Sequence, residues 1–131
     1  MPYVRVMFRS SVDPEVALDV CVALPGIVSD ILCVPEKMPP SEMTIDPVIL
    51  PSGTGGRGYA EGGLGKRLTT LVAGQMSHDI QVIVSSNYYD VRDAIKDKMA
   101  ADMRKRLNEV LLMSKYSAWV WVHLHHAGFA S

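Results

Sequence analysis

Apolar and polar positions alternate with a period of two from the start of the chain. Val4, Val6 and Phe8 interleave with Tyr3, Arg5, Met7 and Arg9, the pattern of a strand with one face on a core. Pro2 shares the apolar parity and heads that strand. Asp13-Pro14-Glu15 then reads as a helix start, with Asp13 as cap, Pro14 in the first position and Glu15 at the positive end of the dipole. The period changes to that of a helix through Val16, Leu18, Val20, Cys21, Leu24, Ile27, Val28, Ile31 and Leu32, and Pro25-Gly26 in its middle predicts a kink or break. Pro35 and the pair Pro39-Pro40 keep the next segment out of helix. Met43, Ile45, Val48, Ile49 and Leu50 predict a second strand, which Pro47 assigns to an edge or a bulge.

Residues 51–65 hold seven glycines. Gly53, Gly55 and Gly58 match G-x-G-x-x-G formally, but Tyr59-Ala60-Glu61-Gly62-Gly63 is turn rather than helix, so the dinucleotide reading fails. Gly65-Lys66 is followed by Arg67, without the hydroxyl that a phosphate loop uses for magnesium. A glycine-rich loop or hairpin is the better reading. Residues 68–72 add a possible short strand, and Ile80, Val82 and Val84 a clearer one. Asp90 and Asp93 resemble a capping box, opening a helix with Val91, Ile95, Met99, Met103, Leu107 and Leu111 at four-residue steps. The last strand, Tyr116 to His125, sets Val120, Val122 and Leu124 on one face and Trp119, Trp121, His123 and His125 on the other. Two indoles and two imidazoles on the face away from the helices form an aromatic patch that soluble monomers rarely leave bare, which predicts oligomerisation through the sheet.

The elements define one α+β domain: two consecutive βαβ units, residues 2–50 and 77–131, joined by a glycine-rich connector over 51–76. They are expected to form a four-stranded mixed sheet with two helices on one face. The 131 residues suit a single domain, and 48% apolar with 21% charged residues and a net charge of −1 is ordinary globular composition. Arg104-Lys105-Arg106 lies among Asp102 and Glu109 on a helix, a solvated face rather than a phosphate track, so no nucleic-acid partner is expected. No apolar run reaches the length of a membrane span. Cys21 and Cys33, without a signal peptide before them, predict a reduced cytoplasmic protein.

Pro2 carries the chemistry if Met1 is removed, because its nitrogen then becomes a secondary amine and a base; with Met1 retained it only starts a strand. Together with the paired βαβ pattern, Met1-Pro2, Pro39-Pro40, the Tyr59–Gly63 turn and Trp119-Val120-Trp121-Val122 resemble the tautomerase superfamily, the group of 4-oxalocrotonate tautomerase and macrophage migration inhibitory factor. The resemblance implies a homotrimer with no metal or organic cofactor, in which each N-terminal proline moves a proton on a small keto–enol carboxylate. It implies Pro2 as the base, Tyr59 as a pocket aromatic and Arg9 as a substrate-binding cation; the enzyme reading adds Arg57, Trp121 and His123 as further substrate contacts of an apolar pocket. Val12, residues 44–46 and Met38 stand where relatives have arginine or lysine, so the usual isomerase constellation is incomplete and the related hydrating or dehalogenating chemistries stay open. Two other readings compete. One is a catalytically silent trimeric module that binds a small molecule or a protein; the other takes His123, His125 and His126 as zinc ligands.

Overall fold

The computed structural model describes residues 2–32, 38–50, 78–112 and 114–125. In order these form β1 (Tyr3–Arg9), α1 (Pro14–Ile31), a 3₁₀ turn (Pro40–Glu42), β2 (Thr44–Leu50), β3 (Ile80–Asn87), α2 (Asp90–Val110) and β4 (Ala118–His125). The sheet order is β2-β1-β3-β4. β1 runs parallel to β2 and antiparallel to β3, and β3 runs parallel to β4. Each parallel pair is bridged by its own helix, as parallel neighbours require, and the two βαβ units meet back to back along β1 and β3.

The alternation sorts the sheet into two faces. Val4, Val6 and Phe8 align with Val84, Val82 and Ile80, which align with Val122, Val120 and Ala118. All of these except half-buried Val122 are buried, against Val20, Leu24, Ile27 and Val28 of α1 and Met99, Met103 and Leu107 of α2. At about 1.5–3 kcal/mol for each fully buried aliphatic side chain, this one-sided core supplies the main driving force. The other face is open in the single chain and carries Tyr3, Arg5, Met7, Ile83, Trp119, Trp121 and His123, with Trp121 55% exposed.

Three local expectations change. α1 runs unbroken through Pro25. A proline removes one main-chain bond, and the burial of Leu24, Ile27 and Val28 around it offsets that loss. Asp90 does not cap α2: the cap position is Tyr89, no side chain bonds there, and Asp90 and Asp93 lie in the first turn. The stripe of α2 also shifts at Ile95, whose φ of −120° and ψ of 15° leave the helical region. Val91 and Ile95 are exposed as a result, and Arg92, seven residues before Met99, takes the inward position.

Other expectations hold. Asp13 Oδ1 accepts from Glu15 N at 2.9 Å, and Pro14 occupies the first turn. β2 is an edge strand. Thr44 N donates to Pro2 O, so even-numbered residues of β2 turn their main chain toward β1 and Pro47 turns its own outward. The missing N–H of Pro47 therefore falls on the free edge, which blunts it against further pairing.

Candidate functional site at the head of the first strand

Pro2 is buried. Tyr3 pairs with Ser85, and the register continued by one residue sets Pro2 across from Ser86, which in turn pairs with Leu124. Alternation turns Pro2 and Ser86 to the helix side, beneath the first turn of α2.

Ser86 and Arg92 are 2% and 4% exposed, and two polar groups buried this deeply need partners. Arg92 Nη1 donates to Ser86 Oγ at 2.8 Å and to the Asn87 carbonyl at 3.3 Å, and its Cζ lies 4.8 Å from the Tyr89 ring centroid. Opposed strand residues have Cβ atoms about 5 Å apart, so the guanidinium that donates to Ser86 lies on the same side of the sheet as Pro2. A fixed positive charge in a poorly solvated setting penalises a second positive charge nearby, so a free Pro2 amine there is held toward its neutral, basic form. Tyr88 joins the same end of the sheet, where its N–H donates to His125 O at 2.7 Å. Desolvation, and then the Asp93 and Asp90 carboxylates, push its phenol above the ordinary value, so it stays protonated at neutral pH.

The residues expected to surround Pro2 fall in different places. Arg9 ends β1, seven residues from Pro2, a separation of about 23 Å at 3.3 Å per residue. There its guanidinium lies 3.9 Å from Asp79. The structure therefore does not bring Arg9 and Pro2 of one chain together. Trp121 aligns with Ile83 and His123 with Ser85, both on the open face, opposite to the side where Pro2 lies. Arg57 and Tyr59 lie outside the described residues. The rings of His123 and His125 meet edge-on at 4.5 Å, and among the described residues no three His, Cys, Asp or Glu side chains converge as metal ligands; His126 lies outside them.

Arg92 and Ser86 were absent from the sequence-based site. Their signals were present, since Ser86 continues the inward parity of Ile80, Val82 and Val84, and Arg92 stands one heptad before Met99. A hydroxyl and a cation at two core positions on neighbouring elements mark a buried polar pair.

No protein-family model matches the chain, and no curated protein matches it. Solved structures do. One is the wild-type asymmetric trimer of F6 fused 4-OT, with 18% identity over 97% of this chain and 91% of that one and a TM-score of 0.58. Another is the macrophage migration inhibitory factor-like protein of Entamoeba histolytica, with 11% identity over 98% and 95% of the two chains and a TM-score of 0.56.

The chain has the tautomerase fold. N1, a member of the cis-3-chloroacrylic acid dehalogenase family, is similar at 16% identity over 95% of this chain and 75% of its own, with a TM-score of 0.56. At such identities the likeness establishes the architecture, and the chemistry has to be argued from the residues.

Proposed function

We propose that the chain is a cofactor-independent tautomerase or isomerase in which Pro2, freed of Met1, transfers a proton on a small keto–enol carboxylate. The observation that carries this reading is the buried pairing of Arg92 with Ser86, the residue after Ser85, which pairs with Tyr3 next to Pro2. The amine lone pair accepts the enol hydroxyl proton, the C–O bond becomes a carbonyl, and the resulting ammonium returns a proton to carbon, so the proton count closes with no second reactant. Arg92 holds the carboxylate or the developing oxyanion, and its charge favours the neutral form of the amine.

The test is ketonisation of phenylenolpyruvate and of 2-hydroxymuconate by protein shown by N-terminal mass analysis to begin at Pro2. Catalysis of either above the buffer rate supports the proposal. A trimmed protein with no rate on either favours the silent binding module.

The functional unit in this reading is a homotrimer. Its support is the open sheet face, with Trp121 more than half exposed beside Trp119, Ile83 and Met7, since a bare face of this kind is unusual on a soluble monomer. Assembly through it would set Trp121, His123 and Arg9 of one copy near another. Light scattering at micromolar concentration is expected to report three chains, and a monomer would remove both the trimer and the roles of Arg9, Trp121 and His123.

A further inference from the structure

On the helix side of the sheet, which faces outward in an assembly through the open face, two aliphatic side chains stand uncovered at the Pro2 end. Val91 is 53% and Ile95 36% exposed. They lie one turn apart on the first part of α2, and the backbone leaves helical geometry at Ile95 itself.

Their direction follows from the handedness of the helix. Arg106 stands three residues after buried Met103 and one before buried Leu107, and its Nη1 reaches Asp30 Oδ2 of α1 at 2.7 Å. Positions three after or one before an inward residue of α2 therefore face α1. Arg104, one after Met103, faces the other way, where its Nε donates to the Ala118 carbonyl of β4 at 3.1 Å. Val91 and Ile95 stand one before and three after inward Arg92, so both lie on the α1 side. Because α1 bridges β1 and β2, that is also the side of β1 and of Pro2 at its head.

A carboxylate held at Arg92 thus has an aliphatic strip beside its far end and no ready cation there. Lys98, three residues after Ile95 on the same side, is paired with Asp102 at 3.2 Å, and Lys96 with Asp93 at 3.2 Å. A second carboxylate laid on Val91 and Ile95 would lose water without gaining a partner, whereas a hydrocarbon tail would gain from the same contact.

We propose that the substrate of the Pro2 site is a monocarboxylic keto–enol acid with an aliphatic tail, its carboxylate on Arg92 and its tail along Val91 and Ile95, and that these two side chains select it over dicarboxylates. The proposal rests on Arg92 as the carboxylate holder beside Pro2, and its test does not depend on proton transfer.

The probes are hexanoate, propionate and adipate, which have no keto or enol group and bind without turnover. Calorimetry on protein that begins at Pro2 measures each Kd. Hexanoate is expected to bind at least about fivefold more tightly than propionate, because three further methylenes are partly buried, and at least about fivefold more tightly than adipate, whose second carboxylate replaces the terminal methyl. Val91→Ser with Ile95→Ser, at two exposed positions outside the core, is expected to bring hexanoate to the level of propionate. Val91→Ile with Ile95→Val, which keeps the aliphatic surface, is expected to keep the preference. Arg92→Met is expected to weaken hexanoate and propionate alike. A trimmed protein that shows these preferences but ketonises neither enol loses the catalytic role of Pro2 and keeps the tail site. The proposal is overturned if adipate binds as tightly as hexanoate, if the double serine variant keeps the parent's preference, if Arg92→Met leaves hexanoate binding unchanged, or if no hexanoate binding is measurable at tens of millimolar.

Discussion

A protein that begins at Pro2 is expected to lose ketonisation activity by at least about a hundredfold when Pro2 is kept in peptide linkage by an uncleaved N-terminal extension, the lower end of what a positioned general base contributes. Acylated nitrogen has no basic lone pair, so the loss follows from the bond and not from a change of fold. Pro2→Ala is the gentler variant, because it leaves an amine and changes its basicity and its angle of approach. Its kcat is expected to fall less than that of the extended protein, with KM nearly unchanged, since the group moved is the base and not the carboxylate holder. Far-UV circular dichroism checks that β1 still pairs in both. Equal rates for extended and trimmed protein remove Pro2 as the base, whatever the absolute activity.

The fold was legible because its signal was periodic. β1, β3 and β4 each bury one parity, and α1 and α2 bury one stripe, so each element and the one-sided core could be located from spacing alone. Pro47 assigned its strand to an edge because a missing N–H is tolerated there. The sheet order was less accessible, since period-two strands do not state their neighbours; the pairing of β1 with β3 at the centre comes from two βαβ units burying their open sides on each other.

The site was legible at Pro2 and not around it. Arg9 resembles a substrate-binding arginine near the end of a first strand, but an extended strand carries it away from Pro2 at about 3.3 Å per residue. Arg92 went unremarked because Val91 and Ile95 gave α2 a plausible apolar stripe of their own. The stripe shifts at Ile95, where the backbone leaves helical geometry and the register of the first turn no longer follows from the rest of the helix.

That shift gives Arg92 the second large effect. Arg92→Met keeps much of the buried volume and removes the charge, and kcat/KM is expected to fall by about 10²–10³, the range for loss of one aimed electrostatic contact. Ser86 loses the donor that reaches its hydroxyl at 2.8 Å, so stability is expected to drop by about 1–3 kcal/mol, measurable by urea titration. A structural role alone predicts that loss of stability too, so the pH profile separates the two. A nearby positive charge lowers the pKa of the Pro2 amine by disfavouring its ammonium form, and removing the charge raises it. Activity that needs the neutral amine rises with pH through that pKa, so the inflection in kcat/KM is expected to move to higher pH in Arg92→Met and to return toward the parent position in Arg92→Lys. A variant that is less stable but keeps the parent inflection and KM would show that Arg92 only holds the end of β3 to α2, and the carboxylate would then have to be bound by a cation from another subunit.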